Sequence, residues 1–228
     1  MQFERCIREF IPVIPKREVN MLTISELWNS TWEKDWSQAL CHYWEIIEKR
    51  PREIKEIEKE MDSLDANQVE EHGPKEWYDF LHDKYFLWKY GQTEAMRENR
   101  ETLQKSIETP GGLERLTSIK EKIFTFDRDD IREGLRIVSK ISGISIVAGS
   151  GLLAVIFPRY YATIDKLLIL AMKRIEEYRN DSMILSMNPS RVSEDDGVLL
   201  ITMLRDKAKN LNAAFSTDNW TPRKKMQR

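Results

Sequence analysis

At 228 residues the chain can bury a sizeable core in one domain or in two fused lobes, and 41% hydrophobic with 32% charged residues is an ordinary globular composition. A formal charge of −2 argues against a dedicated nucleic-acid binder, so any contact with DNA has to rest on a local basic patch. Cys6 and Cys41 are too few for a disulfide framework or a four-sulfur zinc site. No metal and no cofactor are expected, and a reducing, cytoplasmic setting fits. The N-terminus lacks a basic region followed by an apolar run, so no signal peptide is expected. The longest apolar stretch, near 152–157, is far too short for a membrane span.

Residues 1–22, with Pro12 and Pro15, read as an irregular arm. A long helix is expected from Thr23 to Glu26 onward, with Ser25 as a cap and Trp32, Trp36, Leu40, Tyr43 and Ile47 as its core stripe. Residues 48–60 mix acids and bases with Ile54, Ile57 and Met61 on one side, which is a solvated amphipathic helix. The polar run from Ser63 to Pro74 reads as a loop. Pro74 opens a helix carrying Trp77, Phe80, Leu81, Tyr85 and Trp88, which is apolar on so many sides that it must be nearly surrounded. Gly91 stops it. A charged helix over 94–107 ends at Thr109-Pro110-Gly111-Gly112, the strongest break and a reasonable lobe boundary. Leu113, Leu116, Ile119, Ile123 and Phe124 mark a short amphipathic helix, and Asp127 or Asp129 is expected to cap the next one.

The stretch from Asp130 to Asp165 reads as helix, tight apolar hairpin, helix and Pro-marked break, with an acid at the mouth of a third helix. Ile131, Leu135 and Val138 recur at helical spacing, and Gly143 supplies the backbone freedom of a tight turn. Ala148-Gly149-Ser150-Gly151 starts the second helix with almost no side chains. Ser145 to Val147 is the one stretch with any strand character. The third helix is expected to run to about Asn180, followed by loop over 181–192. Ser193 and Asp196 form a capping-box start for a last helix with Val198, Ile201, Leu204, Ala208, Leu211 and Phe215. Trp220 onward is a short basic end. The fold class is all-α, of about nine helices in two packed lobes, 1–110 and 111–228.

The central stretch resembles the helix-hairpin-helix DNA glycosylase superfamily. The family hairpin has the form Leu-Pro-Gly-Val-Gly; here it is Ile141-Ser142-Gly143-Ile144-Ser145. Lyase-competent members place a lysine four residues after the first glycine and an aspartate eighteen further on. Those positions are Val147 and Asp165, so the acid is present and the lysine absent. Ser145 replaces the second glycine, and with two cysteines the iron–sulfur cluster of some members has no ligands. Phe80 with Tyr85-Phe86-Leu87-Trp88-Lys89 is similar to a helix in a group of bacterial proteins that also carry the hairpin downstream.

The resemblance implies contact with DNA backbone through Gly143, Ser145, Ala148, Gly149 and Ser150, whose small size lets phosphate approach amides and a helix N-terminus. The same residues equally let two helices pack closely. Asp165 is the implied catalytic carboxylate, stabilising charge on the sugar of a flipped nucleotide; as a simpler role it caps the third helix. Without an amine at 147 the implied reaction is monofunctional base excision. Lys84, Lys89 and Lys166 are candidate phosphate contacts, or lysines whose stems cover apolar surface. Trp88, Tyr160 and Tyr161 are candidates for a base pocket, or packing residues. The alternative to an enzyme is a non-catalytic interaction or regulatory module, with a protein partner, that kept the fold.

Overall fold

The computed structural model describes residues 22–216, with the side chains of 214–216 outside that description. The expected arm at 1–22 therefore lies outside it up to Met21, as do the Phe215 side chain and the basic end from Trp220. The described residues form twelve helices and no strand, so the chain is all-α. The excess over nine comes from short helices in stretches too brief for a periodic signal.

Helix α1 (Ile24–Asn29) is capped by Thr23 in a reciprocal box with Glu26, and Ser25 instead accepts from the Glu176 amide at 3.0 Å. The expected long helix is thus broken. After residues 30–32, α2 (Glu33–Glu48) begins, with Trp36, Tyr43 and Ile47 buried and Leu40 only half-buried. Trp32 sits at the N-cap of α2 and is 74% exposed, a departure from the expected stripe caused by the break before it. Helix α3 (Arg52–Asp62) buries Ile57 and Met61 as its pattern requires. The expected loop after it contains α4 (Ala66–Glu71), capped by Asp65 and anchored by fully buried Val69.

Helix α5 runs continuously over 74–90, and its middle, Phe80–Tyr85, is π-helical. The wider turn loosens carbonyls from the helix ladder. Arg100 takes two of them, donating to the His82 and Asp83 oxygens at 2.5 and 3.0 Å. Trp77, Leu81, Tyr85 and Phe86 are buried, so α5 is the central element of the core. Helices α6 (Glu94–Glu108) and α7 (Gly112–Thr125) pack on it and on each other. One hydrophobic core holds residues from Trp28 to Leu204, on both sides of the break at 109–111. A small second core joins Leu27, Trp36 and Ala39 to Leu211.

Helix α8 (Ile131–Val138) is capped by Asp130, which accepts from the Glu133 amide at 2.9 Å. Asp127 accepts instead from the Asp129 amide, so neither expected residue is the cap. Helix α9 is Ile146–Ile156; Ser145 caps it, which turns the expected strand character of 145–147 into a helix start. Helix α10 (Lys166–Met172) is short. Ile175 leaves helical geometry to enter the core, and only a 3-10 turn, Glu176–Tyr178, follows; the expected continuation to Asn180 does not form. Helix α11 (Ser182–Ser186) lies in the expected loop, and Lys173 donates to the Leu185 and Met187 carbonyls at the C-terminal end of α11, both at 2.8 Å. Helix α12 (Glu194–Ser216) opens with the reciprocal Ser193–Asp196 pair and buries Ile201, Leu204 and Leu211. Arg132 and Arg136 of α8 both bind Glu194, at 2.6 and 3.0 Å, and fix the two helices together. No described helix is long and apolar enough to cross a membrane.

Candidate functional site

The stretch 131–172 builds helix, hairpin, helix, break and helix in the order the residues dictate. Helices α8 and α9 pack against each other, with the Ile144 amide closing a turn onto the Ile141 carbonyl at 3.0 Å. Gly143 has φ +85°, which a β-carbon disfavours. It also has a neighbour. A Cβ at Gly143 would lie 2.7 Å from the Asn99 carbonyl oxygen of α6. The hairpin glycine is therefore pressed on another helix's backbone.

The small residues of α9 are enclosed one by one. The Ala148 carbonyl accepts from the Tyr85 hydroxyl of α5, in a buried hydrogen bond. A Cβ at Gly149 would come within 2.5 Å of Val138 Cγ2 on α8. Ser150 has no exposed surface; its hydroxyl donates to the Val147 carbonyl at 2.8 Å and accepts from the Ile164 amide at 3.0 Å. A Cβ at Gly151 would stand 3.0 Å from the Tyr85 hydroxyl and 3.3 Å from Lys89 Nζ. The run Ala148-Gly149-Ser150-Gly151 is thus where α5, α8 and the segment before α10 converge on α9. Ala148, Gly149 and Ser150 offer no surface to a phosphate. Ser145 is exposed, but its hydroxyl is engaged by the Ala148 amide at 3.3 Å and by the Tyr90 side chain; burial, opposed by that contact, pushes the Tyr90 phenol up.

Asp165 is half-buried at the mouth of α10, and Oδ1 accepts from the Leu168 amide at 2.8 Å. That is an N-cap bond, which supplies an acceptor to an otherwise unpaired helix amide. Lys166 follows it in the first turn and is exposed. Lys84 points to α3 and pairs with Glu60 at 2.5 Å. Of the three lysines named from sequence, only Lys89 is brought against α9, beside Gly151.

The aromatic candidates are in or against the core. Tyr161 has no exposed surface; its hydroxyl donates to the Asp130 carbonyl at 3.3 Å, and burial pushes its phenol far above the ordinary range. Trp88 is 7% exposed and stacks obliquely on Tyr85. Tyr160 is half-buried against the same core. Buried as they are, Trp88 and Tyr161 present no open ring face for a base to stack on. A recess elsewhere, between α1, α2 and α10, is apolar and is lined by Leu27, Trp28, Trp36, Met172 and Ile175 among others. Among the described residues no group of three His, Cys, Asp or Glu side chains could hold a metal.

Sequence reasoning missed Tyr85 as the strut onto Ala148 and Ser150 as the bridge to Ile164. A tyrosine on a crowded aromatic helix and a serine in an apolar one were the available signals. Comparison with family models, with curated proteins and with solved structures gave no match.

Proposed function

We propose that the chain is a non-catalytic helical interaction module built on a helix-hairpin-helix core. The observation that carries this reading is the burial of Trp88 and Tyr161, two of the three aromatic candidates for a base pocket, in the same core as Ala148 of α9. Asp165 then acts as the helix cap that its bond to Leu168 describes. The surface left for a partner is apolar in places: Trp32, Met183 and Leu185 are well exposed. Aromatic residues and methionine are enriched where proteins meet. The partner in this reading is a protein.

A second reading, contact with DNA backbone, is favoured by one feature. The turn at Gly143 leads into an exposed Ser145 at the N-terminus of the eleven-residue α9. Anions are stabilised at such an end. Phosphate binding draws its affinity from Lys and Arg, so in this reading the contact depends on the hairpin's Lys140 and on Lys89 against α9.

Anisotropy of a fluorescent duplex titrated with the protein from low to physiological salt separates the two. The module reading expects no salt-dependent binding. Binding that weakens steeply with salt, and is lost in Ser145→Glu, supports the second reading instead.

A further inference from the structure

The joint between α4 and α5 holds an arrangement that no role above uses. Lys120 of α7 is only 7% exposed, and its ammonium donates to the His72 carbonyl. The carboxylates whose charges act on it are Glu70, Glu121 and Glu76, while burial holds its ammonium below the ordinary lysine range. A buried ammonium is costly unless its protons find acceptors. Here it finds the carbonyl at the C-terminal end of α4, where a cation is favoured. His72 is the residue that ends α4, and Gly73 and Pro74 begin α5 immediately after it.

The His72 ring stands near Phe80, with centroids 5.9 Å apart, and Phe80 in turn stacks on Trp77 at 5.6 Å. Its Nδ1 is buried and has no hydrogen-bond partner. A neutral imidazole tolerates this, because Nδ1 can remain a bare acceptor. An imidazolium does not, because both nitrogens become donors. The charged groups facing the joint are Glu70 on α4, Glu76 and Lys84 on α5, and Lys120 and Glu121 on α7. Glu76 is engaged by the Gly73 amide at 2.8 Å, and Lys84 by Glu60.

We propose that His72 is an acid-sensitive latch: protonating its ring, against the Lys120 ammonium and with no acceptor at Nδ1, releases the α4–α5 joint and uncovers the apolar Val69, Trp77 and Phe80. Burial holds the imidazole below its ordinary range, with the Glu76 charge opposing and the Lys120 and Lys84 charges assisting. The sign follows. The folded joint binds the proton more weakly than the unfolded chain does, so its stability is complete above the ordinary histidine range, near 6.5, and is lost as pH falls through it. The latch makes the exposure of an apolar surface depend on acidity, and it stands whether or not the partner is a protein.

The test is amide hydrogen exchange over residues 66–80 at pH 7.5 and 5.5, corrected for intrinsic rates, in the wild type and in His72→Gln. The expected result is about a tenfold loss of protection at the lower pH in the wild type, the size of one buried donor left unpaired. His72→Gln is expected to show no such loss. Equal protection at both pH values in the wild type, or a loss that persists in His72→Gln, overturns the proposal. An NMR titration of the three histidine rings decides the matter independently if the variant does not fold. A His72 ring that titrates below the ordinary range supports the latch, and one that titrates at or above it refutes it.

Discussion

Replacing Gly143 by alanine measures how far the hairpin is a packing device. Two costs apply. A side chain at φ +85° is strained by about 1–2 kcal/mol. The new Cβ also stands 2.7 Å from the Asn99 carbonyl oxygen and 3.3 Å from its Cα. Those are backbone atoms in the middle of α6, so no rotamer change clears them, and overpacking of this kind adds about 1–3 kcal/mol. The expected loss is about 2–5 kcal/mol. Gly111→Ala is the control. It has φ +70°, but its Cβ would meet only the flexible Arg115 guanidinium, at 3.4 Å. That variant carries the first cost alone, about 1–2 kcal/mol. Urea unfolding of both variants, with the slope m compared to check for denatured-state changes, gives the difference. Losses equal within about 0.5 kcal/mol would mean that the hairpin is not seated on α6, and the reasoning fails.

Other substitutions test the same packing. Asp165→Ala is expected to lose about 1 kcal/mol with its cap, while Asp165→Asn, itself a good cap, keeps nearly all the stability; urea midpoints distinguish them. Ser150→Ala leaves the Ile164 amide buried without its acceptor and is expected to cost about 1–3 kcal/mol by the same assay. Tyr85→Phe removes the hydroxyl that reaches Ala148 and is expected to cost about 1 kcal/mol. Glu194 is held below the ordinary carboxylate range by hydrogen bonds from Arg136 and Arg132. Its contribution is therefore present above about pH 4.3 and lost as pH falls below that value. Glu194→Gln is expected to flatten the acid side of the stability–pH curve measured in urea.

What could be read from sequence was what is local. The stripes of α3, α7 and α8, that of α12 as far as Leu211, and the Ser193–Asp196 box follow from spacing alone, and the structure carries them. The order helix, hairpin, helix, acid at 131–165 was legible for the same reason. Trp32 was not, because its spacing to Trp36 is that of a core stripe, and only the break at 30–32 puts it in water. Asp127 and Asp129, the expected caps, and Asp130, the observed one, are equally good by residue type, and the actual start of α8 decides among them. The role of Ala148-Gly149-Ser150-Gly151 was undecidable from the chain. Small residues serve a phosphate or a neighbouring helix alike, and the neighbours here, Tyr85, Val138 and Ile164, come from three separate segments. Lys120 and His72 meet across 48 residues, a distance at which no spacing rule operates.

The most direct test of the central claim is base release from a panel of duplexes, each with one damaged or mismatched base, with alkali to reveal abasic sites. Wild type and Asp165→Asn are run side by side, both folded by urea titration. The account predicts no release above background from either protein. Release by the wild type that disappears in Asp165→Asn would contradict it and make the carboxylate at the mouth of α10 a catalytic group.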